Sequence, residues 1–217
     1  MPPVEIELGP DAGADELRAA VEAARADGAD EVRWWVHGTE PRHEAVAADA
    51  GLTPRRRLFQ MRGPLPLAET TDVPTRAFRP GEDEDAWLAV NNRAFDWHPE
   101  QGGWTREVLA GRMAEPWFDP DGFLLHEEDG RLVGFCWTKV HPATAADPPL
   151  GEIYVIAVDP DVVGRGLGRA MTVAGLQHLA AQGLEVGMLY VESDNTAAVG
   201  LYEALGFHVH QVDTAFG

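Results

Sequence analysis

At 217 residues, 45% of them hydrophobic, the chain can build one large domain or two small ones around a true core. Its 17 basic and 36 acidic residues leave a net charge of −19, which argues against nucleic acid and anionic membrane as partners. No apolar run approaches bilayer length, the start Met-Pro-Pro-Val-Glu lacks the basic-then-apolar order of a secretory signal, and the lone Cys136 excludes an internal disulfide, so the expected compartment is the cytoplasm.

In chain order, residues 14–62 come first, and they read as helix, strand, helix and strand because they repeat a later stretch. Gly28, Trp35-Val36-His37 and Ala50-Gly51-Leu52 stand 155 residues before Gly183, Tyr190-Val191-Glu192 and Leu205-Gly206-Phe207, and no gap is needed. The polar equipment is not repeated: Gly166 and Gly168 fall opposite Asp11 and Gly13, Asn195 opposite Glu40, and Tyr202 opposite Ala47. Residues 1–62 are therefore expected to form a structural, non-catalytic lobe. Residues 63–74 are rich in proline and small side chains and read as an extended linker to a second domain at 75–217.

In that second domain, 75–79 reads as a short strand, 82–95 as an amphipathic helix and 105–113 as another helix. The segments 122–128 and 131–141 form a hairpin across Asp129-Gly130, a strong turn signal. A strand at 151–158, a helix at 169–181, a strand at 186–192, a helix at 195–205 and a strand at 207–216 follow. Ser193 or Asp194 is the expected N-cap of the last helix, and Gly206 its C-terminal positive-φ residue. The order predicts a mixed α/β sheet with helices on its faces.

The most informative segment is the junction after the 151–158 strand. A β-branched run stops at Asp159-Pro160, a turn carrying Gly164, Gly166 and Gly168 follows, and a helix starts at once. Backbone N–H groups converge in such a turn and the helix dipole adds positive charge, which makes an anion cradle. No Lys-Ser/Thr follows the last glycine, as a P-loop would need, and the spacing is not that of the dinucleotide fingerprint. A turn that uses glycine only for its shape is the competing reading. Eight histidines are present, but no Cys/His cluster has zinc spacing and no metal is expected. Cys136 reads as a small packing residue. The tryptophans read as core or cleft walls, with Trp97 and Trp104 flanking the His98-Pro99-Glu100 loop and walling an acceptor site.

The strand, glycine turn, helix and strand, followed by Asn195-Thr196-Ala197-Ala198 and by Tyr202 with Gly206-Phe207, resemble the GNAT superfamily of acetyl-CoA-dependent N-acetyltransferases. Several strings are similar to one of its families, the tandem-GNAT mycothiol synthases. These are Asn91-Asn92-Arg93-Ala94-Phe95 with the following His-Pro-Glu-Gln-Gly-Gly-Trp-Thr, Trp137-Thr138-Lys139-Val140-His141, Gly151-Glu152-Ile153-Tyr154-Val155, Leu189-Tyr190-Val191-Glu192-Ser193-Asp194-Asn195 and Val212-Asp213-Thr214-Ala215. The resemblance implies a mixed-sheet GNAT fold at 75–217, preceded by a partial GNAT-like repeat. The chain departs from it in two places: Val163 stands where Gln or Arg usually opens the pyrophosphate loop, and the front half of the first domain is missing. The coenzyme site that domain can hold is expected to be absent.

The implied reaction is direct attack of an amine on the thioester. A free α-amine has a pKa of about 7.7–8.0, so a carboxylate acting directly or through water suffices as base. By resemblance, Glu152 is that base, Tyr202 protonates the departing thiolate, and a backbone N–H of the strand, Val158 first, meets the oxyanion. Acetyl-CoA is the implied co-substrate. Ile156, Ala157 and Val158 would run beside its pantetheine. Val163, Gly164, Arg165, Gly166, Leu167, Gly168 and Arg169 would hold its pyrophosphate. Asn195, Thr196, Ala197, Ala198, Val199 and Gly200 would contact the pantetheine and thiol end. Glu100, Lys139, Glu152 and Tyr190 would meet the acceptor, the cysteinyl amine of cysteinyl-glucosaminyl-inositol. For Glu100 and Lys139 a surface salt bridge or a solvated side chain is the equal alternative. The expected partner is a small-molecule amine, with the protein a monomer. A GNAT acting on another small amine or a peptide N-terminus, and a non-catalytic acyl-CoA-binding module, are the other readings.

Overall fold

The computed structural model describes residues 3–98 and 101–217. The chain divides into two contact-dense units. One holds the residues up to Met61 together with Tyr190–Ala204 and His208–Gly217, and the other holds Arg62–Leu189 and Leu205–Phe207. The stretch 63–74 lies within the second unit, where the Leu65 N–H donates to the Glu185 carbonyl and the Thr71 N–H to the Gln177 side chain.

The first unit contains β1 (Val4–Glu5), α1 (Ala14–Ala26), β2 (Val32–Val36), α2 (Pro41–Asp49), most of β3 (Pro54–Pro64), α6 (Thr196–Ala204) and β9 (His208–Phe216). Its strands run in the order β1-β2-β9-β3, with β1 parallel and β9 antiparallel to β2. Alternation along β2 buries Val32, Trp34 and Val36, which meet Leu17, Val21, Ala47, Leu52 and Phe216. Helix α2 starts at a reciprocal capping box between Glu40 and His43, with Pro41 as its first residue. For α6 the expected cap is corrected by one residue. Asn195, not Ser193 or Asp194, accepts from the Ala198 N–H at 3.2 Å, while the Thr196 N–H already bonds the Asp194 carbonyl.

The second unit contains β4 (Arg76–Ala77), α3 (Glu84–Ala94), α4 (Arg106–Met113), β5 (Phe123–Glu128), β6 (Arg131–His141), β7 (Leu150–Val158), α5 (Leu167–Ala181) and the start of β8 (Val186–Glu192). Its strands run β8-β7-β6-β5-β4. They are antiparallel from β7 to β4, with β7 parallel to β8 through the α5 crossover. Helix α3 begins later than its pattern suggests because Asp83 and Glu84 are occupied beforehand, accepting from the Arg79 and Gly81 N–H groups.

The sheet of this unit buries both faces. Phe135, Trp137 and Val155 meet Trp87, Leu88, Val90 and Leu109 of α3 and α4. On the opposite face α5 lies close to the strands at Gly175, where an added Cβ would meet Cys136 Sγ and, at 2.8 Å, Ile153 Cδ1. Cys136 is fully buried there, and burial pushes its thiol pKa up, so it is a packing residue as expected. Gly175→Ala is expected to destabilise the protein by up to about 2 kcal/mol. Overpacking of about 1–3 kcal/mol exceeds the helix-propensity gain of about 1 kcal/mol. Thermal melts check this: the Tm should fall, and Cys136→Ala in the same chain should restore it.

Candidate active site

Strand β7 is antiparallel to β6 with one extra residue. Trp137 pairs with Val155 but Thr138 pairs with Ile153, so Tyr154 is bulged. Alternation along β7 puts Tyr154 on the face of Glu152, and the bulge brings Lys139 of β6 opposite that glutamate. Glu152 is expected to be a base, with a solvent-facing strand end as the competing reading. It is neither solvated nor paired with the lysine opposite: its side chain is 8% exposed and Oε2 accepts from His141 Nε2 at 2.7 Å. Lys139 turns to aromatic faces, with Nζ 4.7 Å from the Trp117 ring and 5.6 Å from the Tyr154 ring. Among the described residues it makes no salt bridge. Burial above all, with the nearby Glu152 and Glu115 carboxylates adding and Arg112 opposing, holds the Tyr154 phenol above its ordinary pKa, so it stays a neutral hydroxyl.

Beyond the bulge, the strand backbone divides its hydrogen bonds. The Asp159 N–H donates to the Val133 carbonyl, so Gly134 and Val158 form a non-hydrogen-bonded pair. The N–H groups of Val158 and Ile156 consequently point away from β6, to the other edge of β7. Ala157, between them, points its N–H back to β6.

The turn that follows is anchored at its first residue. Asp159 is 2% exposed and accepts from Arg93 at 3.1 Å, Arg131 at 2.9 Å and the Asp161 N–H at 2.9 Å. Arg93 and Arg131 also bind Asp161, whose carboxyl they hold below the usual range. Gly164 and Gly166 take φ of +88° and +80°, and a Cβ on either would meet nothing within 4 Å. Gly166 is the N-cap of α5 and supplies no side-chain cap, so the first-turn N–H groups are left for another acceptor. Both arginines of the turn are already engaged. Arg165 is bidentate to Glu128 at 2.9 and 3.0 Å, and Arg169 bonds Glu69 at 2.8 Å. The donors of the turn that remain are its backbone N–H groups. Val163 is 68% exposed, so its lack of a polar side chain costs the fold nothing.

Of the remaining expected residues, Tyr190, Tyr202 and 195–200 lie in the first unit. Tyr202 is on α6 and 8% exposed, and Tyr190 is 42% exposed with its hydroxyl accepting from Gln60 Nε2 at 2.8 Å. Asn195 caps α6, and Thr196, Ala197, Ala198, Val199 and Gly200 form its first turns. Glu100 lies outside the described residues. Trp104 is 7% exposed and packs in the core with α3 and β6, 5.5 Å from Trp87, the core reading of the tryptophans. Two concavities of the first unit, about 410 and 260 Å³, contain none of the expected residues. Sequence reasoning missed His141, Asp159, Arg93 and Arg131. His141 had a signal, since it stands two residues beyond Lys139 and so shares its strand face.

Residues 87–207 match the acetyltransferase (GNAT) family. The chain is 55% identical over 191 residues to the mycothiol acetyltransferase of Thermobispora bispora, covering 85% of this chain and 65% of that protein. It is 47% identical to the mycothiol acetyltransferase of Acidothermus cellulolyticus, covering 99% of this chain and 71% of that protein. The chain thus spans about two thirds of the length of the curated relatives it matches. A GCN5-related N-acetyltransferase from Sphaerobacter thermophilus shares the fold, with a TM-score of 0.68 and 24% identity over 85% of this chain and 58% of that one.

Proposed function

This chain belongs to the acetyltransferase (GNAT) family, and from that premise we propose that it acetylates the cysteinyl amine of cysteinyl-glucosaminyl-inositol with acetyl-CoA, forming mycothiol. The names carried by relatives near 50% identity support that acceptor. The observation that carries the chemistry is a buried carboxylate, Glu152, on the strand that runs directly into a glycine turn and an uncapped helix N-terminus. Ligands of open α/β sheets bind outside such carboxyl strand ends.

The residues present fit acetyl-CoA. The open space at Gly164 and Gly166 admits a diphosphate against the backbone, and N–H groups from Val163 to Arg169 receive it. The outward amides of Ile156 and Val158, with Ala157 between them, run beside the pantetheine, and Asn195 to Gly200 take its thiol end. Acetyl-CoA supplies an activated acyl group with a thiol leaving group. Glu152 accepts a proton from the acceptor's ammonium, so that the amine attacks in its neutral form. The Val158 N–H meets the charge that develops on the thioester oxygen. Tyr202 donates to the departing sulfur. Lys139, Tyr190 and Glu100 contact the hydroxyl-rich acceptor, and no metal takes part. The protein acts as a cytoplasmic monomer.

Residues 1–62 are proposed to be a partial, non-catalytic GNAT-like lobe, with 63–74 joining it to the catalytic domain at 75–217. The element limits support this. Moved back by the same 155 residues, α6 falls on 41–49, the limits of α2, and β8 falls on 31–37, around β2.

An assay of thiol release from acetyl-CoA tests the whole. Rapid turnover is expected with cysteinyl-glucosaminyl-inositol. Turnover with simple amines or peptide N-termini alone would point to another acceptor, and tight coenzyme binding without turnover to a binding module. Tyr202→Phe is expected to lower kcat about tenfold and leave coenzyme affinity unchanged. The effect stays at the low end for a general acid because a thiol near pKa 8.5 leaves readily. An unchanged kcat removes the tyrosine from this role.

A further inference from the structure

We infer that His141 is a positioning residue for this reaction: it holds Glu152 with one carboxylate oxygen engaged, so that the other is aimed at the attacking amine. The inference rests on the base role proposed for Glu152, and it adds a residue to which no role has been given.

The register makes the pairing informative. Glu152 stands opposite Lys139 on β6, and a lysine there would be its natural ion-pair partner. The Trp117 and Tyr154 rings hold the ammonium instead. The carboxylate is left to the diagonal neighbour, His141, which reaches it at 2.7 Å. A lysine ammonium carries three N–H donors and can reach both carboxylate oxygens. The single Nε2–H of His141 engages one carboxylate oxygen, Oε2. An ionised carboxylate can only accept, so this bond fixes the Nε2–H tautomer. Glu152 is 8% exposed and needs an internal partner to hold its rotamer, whereas His141 is 32% exposed.

The proton balance is simple. One N–H bond of the acceptor's ammonium breaks and one O–H bond forms at Glu152 Oε1; the freed lone pair then forms the nitrogen–carbon bond as the carbon–sulfur bond breaks, the sulfur takes the Tyr202 proton, and the nitrogen's surplus proton returns to the phenolate. The His141 Nε2–H stays on Oε2 throughout. The other groups around this face are Lys139 on β6 and Tyr154 on β7, with Arg112 of α4 and Glu115 beyond it acting on the Tyr154 phenol.

The test uses the full chain with acetyl-CoA and cysteinyl-glucosaminyl-inositol. His141→Ala is expected to lower kcat about tenfold, the share of a general base's ~10²–10⁴-fold that depends on its orientation, with the KM for acetyl-CoA within about twofold. His141→Gln keeps an N–H donor and should recover most of the loss, which a merely structural contact would not predict. A readout independent of turnover is ¹⁵N NMR of labelled histidines: His141 should appear as the Nε2–H tautomer in the parent chain and lose it in Glu152→Ala. An Nδ1–H tautomer in the parent chain overturns the inference. So does an unchanged kcat in His141→Ala while Glu152→Gln is inactive, and that outcome leaves the base reading standing. If Glu152→Gln itself keeps full kcat, the base reading fails and this inference with it.

Discussion

Glu152→Gln is expected to lower kcat by about two orders of magnitude or more at neutral pH, the usual contribution of a general base. The substitution is isosteric, and its side-chain oxygen can still accept from His141, so the bond of 2.7 Å that orders this part of the strand can persist. What is lost is basicity alone. The KM for acetyl-CoA and the Tm should therefore change little. The pH dependence gives the sign. Without a base the enzyme relies on acceptor that is already neutral, and a free α-amine loses its proton near pH 7.7–8.0. The variant's rate should climb as pH rises through that range, and the gap to the parent enzyme should narrow. Steady-state kinetics from about pH 6.5 to 9 read this directly. A variant with parental kcat across the range would show that the amine needs no help from this carboxylate.

Gly166→Val carries the second large effect, in affinity more than in chemistry. The residue sits at φ +80° as the N-cap of α5, a conformation that costs a side-chain-bearing residue about 1–2 kcal/mol and is a true outlier for a β-branched one. A valine Cβ would meet no protein atom within 4 Å. Its bulk would instead enter the open space proposed to receive the coenzyme's diphosphate. The Kd for acetyl-CoA, measured by calorimetry, is expected to rise at least about tenfold, since each 1.4 kcal/mol is a factor of ten. Gly28→Val is the control, with φ +91° and the same open surroundings but a position in the helix–strand turn of the first unit. It should pay the strain and leave coenzyme binding alone. Equal losses in both variants would reduce the Gly166 effect to general strain, and an unchanged Kd would remove the turn from the binding site.

Much of the fold was legible in the sequence because its signals are local. The Asp129-Gly130 hairpin turn, the positive-φ Gly206 and the β-branched 151–158 run each act within a few residues, and the elements they delimit stand where expected. The errors were local competitions decided by hydrogen bonds. Asn195 won the cap of α6 once the Asp194 carbonyl was already bonded to Thr196, and the start of α3 retreated because its acidic residues were bonded beforehand. The glycine turn and Glu152 could be named from the sequence. The engagement of Arg165 and Arg169 by Glu128 and Glu69, residues 37 and 100 positions away, could not.

By itself, then, the sequence determined the order of strands and helices, the glycine turn before α5 and the identity of the carboxylate on the strand leading to it, because backbone propensities and glycine conformations are settled by near neighbours. Only the tertiary structure decided what Glu152 bonds to. A one-residue bulge at Tyr154 sets which side chains share its face, and Trp117, from outside the β6–β7 pair, draws Lys139 away and leaves the carboxylate to His141. That choice rests on packing between segments distant along the chain, and no local pattern carries it.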